Sequence, residues 1–236
     1  MTKQIAERIA SIRERISQAA ARAGRRESDI RIVAVAKQQP AEAVQAAVDA
    51  GIADIGENYV QEAQAKAALV RGCVRWHMVG HLQRNKVKAA IQLFRLIHSV
   101  DSVALLQSIE ERARQASLPA VDVLFEVNLG GESSKSGVPP EQLEPLFGAA
   151  TECSHVRVCG LMCIPPPPKC PEDSRPYFRR LRELRDHWQI QGGTWSSVRE
   201  LSMGMSDDFE VAVEEGATLL RIGRAIFGER QGTRSG

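Results

Sequence analysis

Apolar residues recur at Ile5, Ile9, Ile12 and Ile16, with Arg and Glu filling the opposite face, and Gly24 follows where a helix cap belongs. This spacing predicts an amphipathic helix ahead of the main body. From residue 31 the pattern changes to short apolar runs, each followed by a stretch of helical periodicity. RIVAVAK (31–37) predicts a buried strand, and PAEAVQAAVDAG (40–51) a helix with proline at its start and glycine at its end. The unit then repeats. Strands are predicted at 53–58, 75–81, 95–100, 121–128 and 156–162, each leading into a helical stretch. The last of these helices carries Tyr177, Leu181, Leu184 and Trp188 on one face. RELSM and TLLRI bring the strand count to eight.

Eight strand–helix units in a chain of 236 residues predict an α/β fold, a closed parallel (β/α)8 TIM barrel forming a single domain with an extra N-terminal helix. An open doubly wound sheet is the alternative, because strand count does not establish closure. The chain divides into the leading helix (1–29), the barrel (30–230) and a short tail (231–236). In a closed barrel, functional residues gather at the C-terminal strand ends, and phosphate is often held after strands seven and eight.

Composition narrows the setting. The 31 basic and 29 acidic residues nearly cancel, so no electrostatic pull toward nucleic acid or a membrane surface is expected. No apolar run approaches the roughly 18 residues of a membrane span, and the N-terminus lacks the apolar block of a signal peptide. Five cysteines, an odd number with four of them between 153 and 170, suit a reducing compartment better than a disulfide framework. A cytoplasmic protein is expected, working as a monomer.

The candidate chemistry centres on residues 199–230. Ser202, Gly204, Met205 and Ser206 form one loop after strand seven, and Gly223 and Arg224 form another after strand eight. Backbone N–H groups from two neighbouring glycine-containing loops, joined by hydroxyls and a helix N-terminus, make a phosphate cradle. Plain turn chemistry is the bland alternative. Closure would bring strand one beside strand eight, so Lys37 at the end of strand one would face that cradle. A lysine ending an apolar run is partly desolvated, which favours the free amine as a nucleophile; the competing reading has it reaching out to water. An amine beside a phosphate site suits pyridoxal phosphate (PLP) or a Schiff base with a phosphosugar.

Other strand ends add to this set. Asn58 either contacts a ligand ring or caps the helix beginning at Tyr59. Arg221 either donates to a pyridine nitrogen, leaving it unprotonated, or serves the phosphate. His77 and His81 are spaced H-x3-H but straddle a strand and its turn, and the cysteines form no Cys-x2-Cys pair, so no metal site is expected. The arginines of the 175–185 helix read as a solvated face.

AVAK with Lys37, GENYVQEA (56–63), WHMVGHLQRNK (76–86), HSVDS (98–102), VNLGGESSKSGV (127–138), GLMCIPPP (160–167), LSMGMSDDFEVAVEEGAT (201–218) and RIGRAIFG (221–228) closely resemble the pyridoxal phosphate homeostasis protein family. The resemblance spans about Ile30 to Arg230. It implies PLP fold type III, like the alanine racemase barrel standing alone, with Lys37 carrying PLP as a Schiff base. It further implies that Ser202, Gly204, Ser206 and Gly223 lie at the phosphate, that Arg221 meets the pyridine nitrogen and that Asn58 lies near the ring. AKQQP stands where many members have SKT or SKN.

The family's implied role is PLP (vitamin B6) homeostasis without an established reaction, with PLP-dependent apo-enzymes as partners. Two other functions compete. A PLP-dependent amino-acid racemase or decarboxylase would need a second acid/base, with His81 or a cysteine as candidates. A PLP-independent barrel enzyme would form its Schiff base with a phosphorylated sugar.

Overall fold

Strand β1 (Arg31–Val35) pairs in parallel with β2 (Asp54–Glu57) on one side and with β8 (Leu219–Ile222) on the other. Val33 stands opposite Asp54 in one register and opposite Arg221 in the other. The sheet therefore closes, and the open alternative falls. The remaining strands follow in chain order: β3 (Arg75–Met78), β4 (Phe94–Val100), β5 (Val121–Glu126), β6 (Val156–Met162) and β7 (Glu200–Ser202). The structure is a computed structural model that describes residues 2–131 and 136–228. Residues 132–135 of the VNLGGESSKSGV motif and the tail 231–236 lie outside the described residues.

Helices wrap the ring: α1 (Thr2–Arg22), α2 (Ala41–Asp49), α3 (Val60–Ala67), α4 (Val87–Leu93), α5 (Val103–Gln115), α6 (Leu143–Thr151), α7 (Arg175–Ile190), α8 (Phe209–Glu214) and the short α9 (Arg224–Phe227). Ile5, Ile9, Ile12 and Ile16 are all buried, and α1 packs across α8, α2 and α9 at the seam where the barrel closes. Arg15 and Arg22 pin it there through Glu210 and Glu214 on α8. Closure by β8 thus creates the surface on which the leading helix buries its isoleucines.

Side chains alternate along each strand, and the two parities have different fates. Val33, Val35, Val79, Leu96, Leu124, Met162 and Leu219 turn inward and form a small cluster of their own inside the ring. Ala34, Ile55, Ile97, Val123, Phe125 and Leu220 turn outward into the larger core under the helices. The strands end earlier than the apolar runs predict. β1 stops at Val35, and Gln38 adopts φ 61°, so Lys37 sits in a turn beyond the strand. In the same way Asn58, His81 and Asn128 lie past their strand ends, on the rim of the barrel mouth. The helical stretches predicted after the third and fifth strands each begin with a 3-10 turn, Arg84–Lys86 and Pro140–Gln142, before the α-helix proper.

Candidate active site at the barrel mouth

A cavity of about 390 Å³ opens at the C-terminal ends of the strands. Six of the expected residues wall it together: Lys37, Asn58, Met205, Ser206, Arg221 and Gly223. Ser202 and Gly204 stand behind the wall. Ser202 is the last residue of β7 and shares the inward parity of Arg221, so its hydroxyl points into the barrel, where it meets Arg221. Gly204 has φ 87°, and a Cβ there would stand 2.5 Å from that of Ala212. Its role is a close approach of the loop to α8, while its carbonyl accepts from the Arg221 backbone N–H.

Ser206 and Gly223 bring the two loops together, since Ser206 Oγ accepts from the Ala225 N–H at the start of α9. Arg224 and Asp207, an ion pair, close the rim beside them. At Gly223 a Cβ would lie 3.1 Å from the Val35 carbonyl oxygen, so the loop after β8 packs closely against the end of β1. Across the mouth, Asn58 lines the cavity. The cap of α3 is Tyr59, with no side-chain cap bond, which removes the capping alternative for Asn58.

Lys37 and Asn58 are held at their strand ends by a residue behind them. Lys66 Nζ donates to the Ala36 carbonyl at 2.7 Å and to Glu57 Oε1 at 2.7 Å, joining the two residues that precede Lys37 and Asn58. Glu62 completes the clamp by accepting from the Gln38 N–H. Glu57 is fully buried, burial raises its pKa against the pull of Lys66, and its Oε2 has no partner.

Arg221 is anchored from below. Nη1 donates to Ser202 Oγ at 2.6 Å and Nη2 to the Cys163 carbonyl at 2.8 Å. Burial works to lower the Arg221 pKa, yet a guanidinium keeps its proton in a protein. Beneath it a chain of hydrogen bonds runs through the barrel to its floor. Ser202 Oγ meets His98 Nδ1 at 2.8 Å, His98 Nε2 meets His77 Nδ1 at 2.9 Å, and His77 Nε2 meets Asp54 Oδ1 at 2.8 Å. Arg75 then clasps Asp54 through two bonds.

One placement of protons satisfies every member with both imidazoles neutral. Ser202 donates to His98, His98 donates to His77, and His77 donates to Asp54. Burial first, with the Arg221 charge adding to it, drives the His98 pKa well below its ordinary value. Burial works to raise the Asp54 pKa, but hydrogen bonds from Arg75 and His77 outweigh it and hold the carboxyl well below the usual range. His77 is thus spent inside the barrel while His81 leans toward Asp101 on the rim at 3.5 Å. No group of three or more metal-ligating side chains occurs among the described residues. Cys163 is sealed, and burial pushes its thiol up to about 12.

The model of the alanine racemase N-terminal domain matches residues 8–231. A pyridoxal phosphate homeostasis protein of Aquifex aeolicus is 46% identical over 226 residues, covering 95% of this chain and 98% of that protein. The chain belongs to the pyridoxal phosphate homeostasis protein family. A second such protein, from Pseudomonas aeruginosa, is 43% identical over 96% of each chain. The solved structure of PipY of Synechococcus elongatus, described as having PLP bound, has a TM-score of 0.82 and 34% identity over 95% of this chain and 100% of that one.

Within this family frame, Glu126 is a cavity residue that the sequence did not single out, whereas Asn128, at the end of the predicted fifth strand, does not line the cavity. Asn128 instead accepts from the Gly131 N–H and shapes the following loop. A signal for Glu126 existed. It stands two residues after the inward Leu124, a carboxylate at the C-terminal end of its strand.

Proposed function

We propose that this chain binds pyridoxal 5'-phosphate reversibly on Lys37 and serves PLP (vitamin B6) homeostasis by holding and releasing it. The observation that carries this reading is the sharing of one cavity wall by an amine, a buried guanidinium and the loop residues Met205, Ser206 and Gly223. PLP supplies an aldehyde that a primary amine captures reversibly. The residues fit it in chemistry. Lys37 offers the amine, with its strand end fixed by Lys66. Ser206 and Gly223 line the cavity from two loops joined at the start of α9, and their backbone N–H groups offer an anion a cradle. Arg221, locked by Ser202 and Cys163, offers the ring nitrogen a donor that does not give up its proton. A ring nitrogen so held makes a weak electron sink, which favours storage over chemistry at a bound amino acid.

PLP-dependent apo-enzymes are the recipients this reading names, and we place the protein in the cytosol as a monomer. No helix among the described residues is long and apolar enough to cross a membrane, and Cys73, Cys153, Cys159, Cys163 and Cys170 are all free thiols. Equilibrium dialysis of the stripped protein tests the reading: it predicts saturable PLP uptake that a PLP-dependent apo-enzyme in the outer chamber draws back out. Uptake of phosphorylated sugars in preference to PLP would overturn it.

A further inference from the structure

Glu126 is a carboxyl that cofactor holding leaves unused. It ends β5, which lies diametrically opposite β1 in a closed ring of eight strands, so it faces the Lys37 side of the mouth from the far wall of the same cavity. The residue is only 5% exposed, and among the described residues no donor is hydrogen-bonded to its carboxyl. Carboxyls this buried normally have a partner. The groups around it supply none. Asp101 beyond β4 is a like charge and is engaged with His81; Cys163 beyond β6 is sealed; the Gly137 backbone packs against the Glu126 methylene. Arg221 of β8 is near enough to be felt but donates to Ser202 and Cys163. Burial first, then the Asp101 charge, push Glu126 up to about 7 against the pull of Arg221.

An acceptor without a donor, in a cavity whose opposite wall carries an amine, is complementary to a second amine. An ammonium brings the missing donors and an opposite charge. Its proton is also what has to leave before its nitrogen can bond to carbon.

We propose that Glu126 receives a primary ammonium entering the cavity and acts as the base that removes its proton, so that the incoming amine displaces Lys37 from the cofactor. The inference rests on the Lys37 reading above. The Glu126 carboxylate takes one proton from R–NH3+, and the freed lone pair forms a C–N bond to the cofactor carbon held by Lys37. The π bond from that carbon to Nζ opens onto Nζ, which takes one proton from the new nitrogen. The lone pair this leaves on the new nitrogen forms the second C–N bond as the C–Nζ bond breaks. The electron pair of that bond stays on Nζ, and the proton held by Glu126 passes to Nζ. Nothing is oxidised or reduced, and Glu126 ends as it began. A free amino acid and the lysine side chain of a polypeptide both supply this chemistry.

The test mixes PLP-loaded protein with glycine or with Nα-acetyllysine amide and follows displacement by stopped-flow absorbance, with rates expressed per cofactor-linked chain. The wild-type rate is expected to rise through a limb near neutrality, on top of the ionisation of the amine itself. Glu126→Gln should lose that limb and exchange roughly a hundredfold more slowly around neutral pH, the gap closing in alkali where amines are already deprotonated. Glu126→Asp should restore the limb. In cofactor-free protein, a 13C-labelled Glu carboxyl resonance should titrate near neutrality and be missing from the Gln variant. A higher rate with glycine supports a free amino acid as the source; a higher rate with the lysine amide supports a polypeptide. Equal rates for wild type and Glu126→Gln, a profile that follows the amine alone, or an ordinary carboxyl titration would each overturn the proposal. Absence of Lys37-linked absorbance before any amine is added would instead bring down the underlying PLP reading, and the inference with it.

Discussion

Arg221 Nη1 donates to Ser202 Oγ at 2.6 Å, and both side chains are buried inside the barrel, so this contact helps fix where the remaining guanidinium donors point. Ser202 is the hinge of the arrangement, since it also passes a proton bond to His98. Ser202→Ala would leave two buried polar groups without partners. A loss of about 1–3 kcal/mol in urea unfolding is expected, because an unmet buried group costs that much. PLP should also dissociate faster as Arg221 loses its anchor. A variant as stable as wild type would show that the buried chain is slack.

Glu126 makes stability depend on pH with a definite sign. Its pKa is about 7 in the folded protein against 4.5 unfolded, so between these values the folded state binds the extra proton. Its contribution is therefore present below the unfolded value and lost as pH rises through the window. Glu126→Gln abolishes this term and should gain on wild type by about 3 kcal/mol between acid and neutral pH, at roughly 1.4 kcal/mol per pH unit. His98 works in the other direction. Its folded pKa is depressed, so its contribution is present above the ordinary value of 6.5 and lost as pH falls below it. The Gln variant should thus show the steeper acid loss. Parallel stability–pH curves for the two proteins would contradict the Glu126 assignment.

Lys66 clamps β1 to β2 behind Lys37. Lys66→Met leaves Glu57 charged, buried and alone, and breaking such a pair by removing one partner costs about 3–5 kcal/mol. The double change Glu57→Gln, Lys66→Met should recover much of that in denaturant titrations. It should not recover PLP retention, because the bond to the Ala36 carbonyl is still missing. Full recovery of both would reduce Lys66 to a charge partner.

Gly223 lines the cavity where the phosphate is proposed to sit. In Gly223→Val the new side chain meets the Val35 carbonyl, so the loop that lines the cavity has to shift away from β1. PLP affinity should fall at least tenfold, about 1.4 kcal/mol, by fluorescence titration. Unchanged affinity would move the phosphate elsewhere.

The strand–helix rhythm made the architecture legible, and strand parity made much of the mouth legible. Lys37 continues the inward series Val33, Val35, and Arg221 and Gly223 continue Leu219. What escaped depends on contacts distant in sequence. His98 meets His77 on the neighbouring strand across 21 residues and Ser202 across 104, a pairing through the interior that exists only once the strands form a ring. Ser202 was expected in a loop because the short β7 reads into the glycine turn that follows it; one residue of strand was enough to turn its hydroxyl inward. Glu126 shares its strand with a second carboxylate, Asp122, and only closure of the ring gives that strand an inside.

The central claim is that Lys37 is where PLP is held, and chemical trapping tests it most directly. Borohydride reduction of PLP-loaded protein, followed by digestion and mass spectrometry, is predicted to place one phosphopyridoxyl group on the peptide containing Lys37, with Lys37→Ala showing neither the label nor the linkage absorbance. A label on Lys66, Lys86 or another lysine in the wild-type protein, with the Lys37 peptide unmodified, would contradict the account.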